Sequence, residues 1–233
     1  MTSEPSRSKT AVIVGASRGL GLALTEELWL RGWQIIATQR DRAPALEALA
    51  ARSGDAIALQ SIDIADPDDV VRLRDALATR TIDLLMVNAG ISIAQVDTPL
   101  SAADDDFTAM MMINALSPVR VAESLCPFVR PGGVIAFMSS ELASLANNPG
   151  THDLYSASKA ALNMLVKCFA SRGLAVSRSV VLMAPGWVRT EIGGDQALLS
   201  IDESIPMVAA ALEANLDKPG LRFIDRFDQP IAW

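Results

Sequence analysis

The sequence has few of the residues that build metal centres or disulfide frameworks. Its 233 residues include one histidine and two cysteines, Cys126 and Cys168, which lie far apart in apolar stretches of helical period. This composition argues against a zinc site or a disulfide scaffold, and it fits a reducing, cytoplasmic location. Any chemistry must then come from hydroxyls, amines or a bound cofactor.

Long apolar runs and basic clusters are also missing. No apolar run reaches the ~18 residues that a membrane-spanning helix needs, and the polar opening, Met1 to Lys9, does not resemble a secretion signal. Acidic residues outnumber basic ones by 27 to 20, for a net charge of −7, and no lysine or arginine cluster offers a site for a phosphate backbone. We therefore expect neither a membrane anchor nor a nucleic-acid partner.

Short β-like runs alternate with longer stretches of helical period from Thr10 almost to the last residue. This alternation predicts one α/β domain over 10–233, a doubly wound parallel sheet of about seven strands with helices on both faces. Residues 1–9 are expected to be disordered or extended. The predicted strands are Thr10 to Val14, Gln34 to Thr38, Ala56 to Ile62, Ile82 to Asn88, Val134 to Ser139, Ser179 to Met183 and Leu221 to Ile224. The predicted helices are Leu20 to Arg31, Pro44 to Ala51, Pro67 to Ala78, Asp104 to Phe128 with a kink near Pro118, Tyr155 to Ser171, and Asp202 to Leu216.

A glycine-rich loop directly follows the first predicted strand and runs into a helix. Its sequence is Gly15-Ala16-Ser17-Arg18-Gly19-Leu20-Gly21, a GxxxGxG spacing. Glycines let a backbone turn tightly and approach a pyrophosphate, whose charge the free N–H groups and positive end of the helix dipole favour. The loop alone leaves a second interpretation open, a glycine turn that packs against the sheet without a ligand.

Further motifs in the same order give this loop a specific context. They are Val87-Asn88-Ala89-Gly90 at the end of the fourth strand, Asn114 in a helix, Ser139-Ser140 after the fifth strand, Tyr155-Ser156-Ala157-Ser158-Lys159, and Pro185-Gly186-Trp187-Val188-Arg189-Thr190. Together they resemble the short-chain dehydrogenase/reductase family over nearly the whole chain. The segment Gly186 to Gly194 and the final Ile231-Ala232-Trp233 are most similar to the C-factor and carbonyl-reductase-like branch. The resemblance implies a single-domain Rossmann fold and an NAD(P)-dependent oxidoreductase acting on CH–OH groups.

Tyr155 and Lys159 are four residues apart in a predicted helix, so they share one face. A tyrosine has an ordinary pKa of about 10, and lowering it to near 7 requires about 4 kcal/mol. A lysine ammonium about 4 Å away contributes about 4 kcal/mol at an effective dielectric of ~20. We therefore expect Lys159 to lower the pKa of Tyr155, the only tyrosine in the chain.

The resemblance also assigns roles to the candidate catalytic residues. Tyr155 would exchange the hydroxyl proton, Ser140 would bind the substrate oxygen, Lys159 would also hold the nicotinamide ribose, and Asn114 would support a water relay. Ser139 is the alternative to Ser140, because the loop before Tyr155 is slightly longer than in many relatives. Asn114 is also explained by local hydrogen bonding in a kinked helix.

Cofactor selection depends on the residues that follow the second strand. A carboxylate there would bind the 2′-hydroxyl of NAD(H), whereas an arginine would pair with the 2′-phosphate of NADP(H). Arg40 and Arg18 provide two guanidinium groups for that phosphate, so we expect NADP(H), with Asp41 as the residue that would favour NAD(H). The complete expected cofactor set is Gly15, Ser17, Arg18, Gly19, Leu20, Gly21, Arg40, Asp63, Ile64, Asn88, Ala89, Gly90, Tyr155, Lys159, Pro185, Gly186, Val188 and Thr190.

The expected reaction is the interconversion of a small carbonyl compound and its alcohol by hydride transfer. An apolar pocket would be lined by Leu142, Leu145, Trp187 and Ile192. Relatives commonly pair through the faces of the long fourth helix and the Tyr155 helix, so we expect a homo-oligomer, a dimer or tetramer. The alternative function is a C-factor-like signalling protein that binds a dinucleotide with little or no turnover.

Overall fold

The computed structural model describes residues 8–93, 98–173 and 175–233. In this part of the chain the seven predicted strands form one parallel sheet. The strands are β1 (Thr10–Val14), β2 (Gln34–Gln39), β3 (Ile57–Ser61), β4 (Ile82–Val87), β5 (Val129–Met138), β6 (Ser179–Ala184) and β7 (Gly220–Asp225). Their order is β3-β2-β1-β4-β5-β6-β7, so the direction of winding reverses between β1 and β4. In sheets of this kind, ligands bind at the carboxyl ends of the strands beside that reversal.

Helices cover both faces of the sheet, as predicted. They are α1 (Gly19–Leu30), α2 (Pro44–Arg52), α3 (Pro67–Ala76), α4 (Asp104–Met111), α5 (Ser117–Leu125), α6 (Asp153–Ala170) and α7 (Ile201–Ala214). Leu28 of α1, Leu46 of α2 and Val208 of α7 lie in the apolar core on one face. Val121 of α5 and Val166 of α6 lie in a separate core on the other face. The two buried cores confirm the doubly wound Rossmann architecture.

Several helix starts follow from their local sequence. Asp66 caps α3 by accepting a hydrogen bond from the backbone N–H of Asp68, and Pro67 occupies the first turn, where a missing N–H costs nothing. Ser200 and Glu203 form a reciprocal capping box at the start of α7. Most helix boundaries lie within about two residues of the prediction, and these two caps account for the starts of α3 and α7.

The predicted long helix from Asp104 to Phe128 is interrupted earlier than expected. A π-helical turn over Met112–Leu116 separates α4 from α5, and a 3₁₀ turn over Cys126–Phe128 ends the segment. Pro118 has no backbone N–H, so the Asn114 carbonyl four residues earlier lacks its ordinary helical donor. The disturbance therefore lies one turn before the proline, and π turns of this kind occur often at functional sites.

Strand β5 begins at Val129, five residues before the predicted start at Val134. Its pairing with β4 shifts register between Ile82 and Leu84, where Pro131 and the two following glycines bulge out of the ladder. A proline cannot donate to a ladder, which is why the sequence pattern favoured a later start.

The predicted N-terminal segment 1–9 falls mostly on residues 1–7, which lie outside the described residues. Lys9 is described, and its ammonium lies 5.1 Å from the centroid of the Trp33 ring. Within the described ranges, the helices are too short or too polar to cross a membrane.

Candidate active site

A cavity of about 1240 Å³ lies at the carboxyl edge of the sheet, beside the reversal between β1 and β4. The residues that directly follow β1, β4, β5 and β6 all reach it, because parallel strands end at one edge. Most of the predicted cofactor residues line this cavity: Gly15, Ser17, Arg18, Gly19, Leu20, Arg40, Asp63, Ile64, Asn88, Ala89, Gly90, Tyr155, Lys159, Pro185, Gly186, Val188 and Thr190.

The glycine loop at the floor of the cavity is tightly packed. Gly15 has a φ of +87°, and a Cβ there would lie 2.7 Å from the backbone of Ala89. Its N–H donates to the Thr38 hydroxyl at 3.0 Å, and its carbonyl accepts from the Asn88 amide at 2.8 Å. A side chain at Gly15 is therefore excluded both by conformation and by space.

Gly21 is the one predicted cofactor residue of this loop that does not line the cavity. It faces the sheet instead, where a Cβ would lie 2.0 Å from the Gly15 carbonyl oxygen and 2.5 Å from the Asn88 amide nitrogen. Because Gly21 has no side chain, α1 can approach β1 and β4 closely. Gly21 therefore supports the conformation of the loop without lining the cavity.

The candidate catalytic side chains come from two elements. Ser140 follows β5, and Tyr155 and Lys159 lie one turn apart on α6, so all three face the cavity. The Ser140 and Tyr155 hydroxyls share a hydrogen bond. The Lys159 ammonium lies 5.8 Å from the centroid of the Tyr155 ring and donates to the Met138 carbonyl at 2.9 Å. The predicted constellation is thus brought together.

The expectation that Lys159 lowers the pKa of Tyr155 is wrong for this structure. Burial raises the pKa of Tyr155 to about 12, and the hydrogen bond from Ser140 opposes this effect without cancelling it. Burial also lowers the pKa of Lys159 to about 8, because a charged amine is poorly solvated there. The Lys159 amine donates to the Met138 carbonyl and is itself desolvated, and the largest effect on the pKa of the phenol is its own burial.

Ser139 and Ser140 point to different partners. The buried Ser139 hydroxyl donates to the Asn163 side-chain oxygen at 2.7 Å, between β5 and α6. The Ser140 hydroxyl accepts the Leu142 N–H at 3.1 Å and contacts Tyr155. Only Ser140 therefore directs its hydroxyl to the phenol.

Asn114 lies in the π turn and does not line the cavity. Its side chain holds both backbone groups of Ile91, accepting from the N–H and donating to the carbonyl at 2.8 Å, and it also donates to the Ser158 hydroxyl at 3.0 Å. Asn114 thus fastens the segment after β4 to α6. A Cβ built on Gly90 would lie 3.2 Å from the Asn114 oxygen and 3.4 Å from the Lys159 nitrogen, so both side chains pack against Gly90.

Comparison with known proteins identifies this arrangement. The family model for short chain dehydrogenases matches residues 9–197. The chain belongs to the short-chain dehydrogenase family. A short-chain dehydrogenase/reductase from Burkholderia multivorans, crystallised with bound NADP, is 42% identical with a TM-score of 0.94, and the match covers 97% of this chain and 100% of that one.

Two further relatives support the predicted branch of the short-chain dehydrogenases. A carbonyl reductase from Pseudomonas aeruginosa in complex with NADP is 41% identical, with a TM-score of 0.90 over 97% of this chain and 100% of that one. The C-signal protein of Myxococcus xanthus is 32% identical over 163 residues, which cover 67% of this chain and 96% of that protein. The predicted resemblance to this family, including its C-factor and carbonyl reductase members, is confirmed.

The adenosine end of this short-chain dehydrogenase cavity is rich in arginine. Arg18, Arg40 and Arg42 line it, and Thr38 contributes from the end of β2. Arg40 pairs with Asp41 at 2.9 Å, and both side chains are largely exposed. The guanidinium groups, the glycine loop and the start of α1 together fit a phosphorylated dinucleotide.

The predicted apolar pocket is only partly present at the other end. Leu142, Trp187 and Ile192 line the cavity, but Leu145 does not. The prediction for Leu145 is wrong, because the 3₁₀ turn Glu141–Ala143 leads the chain outward and leaves that side chain 86% exposed.

Several polar residues that line the cavity were not predicted from the sequence, among them Glu141 and His152. Glu141 directly follows Ser140, and His152 lies in the loop before Tyr155. His152 has a φ of +57°, which is strained for a residue other than glycine, and it immediately precedes α6. Its position just before the tyrosine helix was the signal that could have identified it.

Proposed function

We propose that the protein is an NADP(H)-dependent oxidoreductase that interconverts a ketone or aldehyde and the corresponding alcohol. The observation that carries this proposal is the opening of Ser140, Tyr155 and Lys159 into the same cavity as the glycine loop. The bound nicotinamide would supply or accept the hydride. The side chains of this protein would bind and orient the substrate oxygen and move its proton.

Tyr155 is the proton donor in the direction of carbonyl reduction. With a pKa raised to about 12, its phenol stays protonated at neutral pH and can donate to the substrate oxygen. Ser140 contacts the phenol and provides a second hydroxyl for the same oxygen. The two hydroxyls would hold the carbonyl in place while charge develops on its oxygen.

Lys159 contributes a mobile proton beside the tyrosine. Its pKa of about 8 places its titration close to neutrality, and the Met138 carbonyl fixes its position. We propose that it binds the nicotinamide ribose and replenishes the tyrosine proton. Asn114 is a positioning residue in this scheme, because its amide is occupied by Ile91 and Ser158.

We propose NADP(H) as the cofactor in preference to NAD(H). Arg18 and Arg40 are available at the adenosine end, and related structures contain NADP. Arg18 is paired with Glu191 and Arg40 with Asp41. To bind a phosphate, each guanidinium would either leave its carboxylate or contact the carboxylate and the phosphate together. We also propose a cytoplasmic location. We further propose that the protein forms a homo-oligomer, a dimer or tetramer, and sedimentation across micromolar concentrations tests this oligomeric state.

The experiment that tests the reaction is a screen of carbonyl compounds for oxidation of NADPH, repeated with three variants. Tyr155→Phe should bind NADPH but lose turnover by about 100-fold or more, since it removes the proton donor. Ser140→Ala and Ser139→Ala form a matched pair of serine variants. We expect a loss of turnover in Ser140→Ala, whereas Ser139→Ala should retain most of its turnover; the reverse result would transfer the catalytic role to Ser139.

The similarity to C-signal supports a second candidate, a signalling protein that binds a dinucleotide with little turnover. The two functions differ in their dependence on the phenol. If Tyr155→Phe lost all reductase activity and kept its full biological effect in a complementation assay, signalling would be the function and turnover incidental. If both were lost together, the effect would require the reaction.

A further inference from the structure

Charge is divided unevenly along the cavity. Arg40 and Arg42 line it near the end of β2, Arg18 pairs with Glu191, and the substrate end carries the carboxylates of Glu141 and Asp195. Of the residues that the structure describes between Ser140 and Gln196, those lining the cavity include no arginine and no lysine other than Lys159. Apart from Lys159, the charged side chains that this segment contributes to the cavity are therefore carboxylates.

One aromatic surface at this end is held in a fixed orientation. The Trp187 indole nitrogen donates to the Gly193 carbonyl at 2.8 Å, and the Trp187 carbonyl accepts the Leu199 N–H at 3.0 Å. Side chain and backbone are thus both restrained, yet the residue is 51% exposed and lines the cavity. A flat group that stacks on this indole would need little reorganisation of the protein.

From the acidic lining residues and the restrained Trp187 indole, we propose that the substrate is an uncharged carbonyl compound with an aromatic group next to the carbonyl. We also propose that the cavity discriminates against keto acids, which carry a carboxylate. The inference rests on the proposed function and narrows it. Repulsion comes from Glu141 and Asp195, because Glu191 is partly neutralised by its pairing with Arg18. Attraction comes from the indole, with Leu142 and Ile192 as further apolar contacts.

The charge arm of the test compares ethyl benzoylformate with benzoylformate, which share a framework and differ in one negative charge. Their intrinsic reactivities also differ, so the informative quantity is the change in the acid-to-ester ratio of kcat/KM. We expect Glu141→Gln combined with Asp195→Asn to raise that ratio about three- to tenfold, as expected for exposed charges, and added salt to raise it in the unmodified protein. The control is Asp55→Asn combined with Asp105→Asn, which also removes two negative charges, both outside the cavity, and should leave the ratio unchanged.

The aromatic arm compares ethyl benzoylformate with ethyl pyruvate, which lacks the ring. Trp187→Leu should lower the preference for the aromatic ester about three- to tenfold, in line with the strength of aromatic pairs. Trp187→Phe loses the hydrogen bond to Gly193 but keeps a ring, so it should largely retain the preference. Equal losses in both variants would show that the hydrogen bond, and not the aromatic surface, is responsible, and would overturn this arm.

The outcomes separate this inference from the proposed function. If no carbonyl compound is reduced at the expense of NADPH, the proposed function fails. If the esters are reduced but neither ratio responds to the substitutions, the reaction stands and the assignment of substrate class is wrong.

Discussion

Replacing Arg40 by alanine should weaken NADPH binding by about 5- to 30-fold and leave NADH binding nearly unchanged. Arg40 lines the adenosine end of the cavity, and its Nε already pairs with Asp41 at 2.9 Å. A hydrogen bond to a charged group contributes about 1.5–3 kcal/mol, and the 65% exposure of the Arg40 side chain reduces that through solvent screening to about 1–2 kcal/mol. NADH has no 2′-phosphate and cannot lose this contact.

The assay is a titration of each nucleotide against the unmodified protein and the variant by calorimetry, at two salt concentrations. The preference for NADPH should fall with added salt, since exposed charges are screened. Arg74→Ala is the matched control, because Arg74 pairs with Asp75 in a similar exposed contact away from the cavity. An unchanged NADPH-to-NADH ratio in Arg40→Ala would refute the assignment of this arginine.

Asp41 provides an independent check on the same reasoning. If Arg40 binds the phosphate, Asp41→Asn should strengthen NADPH binding, because it removes a negative charge next to a dianion. If Asp41 instead binds the ribose hydroxyls, the substitution should weaken NADH binding.

Three further predictions follow from the site and the sheet. The kcat/KM for NADPH should fall as pH rises through about 8, because Lys159 then loses the proton that it holds at lower pH. Lys159→Arg should move this fall in kcat/KM to higher pH, and an unchanged pH profile in that variant would show that another group titrates. Gly21→Ala should weaken NADPH binding and lower the thermal midpoint, because the new Cβ would lie 2.0 Å from the Gly15 carbonyl oxygen; thermal unfolding followed by circular dichroism tests the second effect, and a midpoint equal to that of the unmodified protein would contradict the packing argument. Asp83→Ala should destabilise the fold by about 1–2 kcal/mol in urea denaturation, because it removes the 2.8 Å contact with Arg130 and the acceptor of the Thr10 N–H, while Arg130 keeps its pairing with Asp217; a change below about 0.5 kcal/mol would mean that solvent replaces these contacts.

The sheet was predictable from sequence because each strand is a short apolar run between helical patterns. The phosphate loop was predictable for a related reason, since Gly15 occupies a conformation and a space that exclude side chains. Both signals are local, so they can be read without knowledge of what packs against them.

The predictions that failed depend on contacts between distant segments. The pKa of Tyr155 reflects its burial in the folded protein, and the Lys159 amine donates to the Met138 carbonyl of β5. The spacing of residues within the helix reveals neither effect. Leu145 has the composition of a pocket residue, yet a 3₁₀ turn carries it to the surface. The π turn over Met112–Leu116 likewise combines the missing N–H of Pro118 with the bonds from Asn114 to a neighbouring segment.

The most direct test of the central claim follows the hydride itself. The protein is incubated with NADPH carrying deuterium at nicotinamide C4 and with ethyl benzoylformate, and the alcohol is analysed by mass spectrometry. With NADPH labelled separately on each face, deuterium should appear in the alcohol from one of the two forms, and Tyr155→Phe should bind NADPH normally while forming about 100-fold less product. Alcohol without deuterium from either form, or undiminished turnover in Tyr155→Phe, would contradict the account.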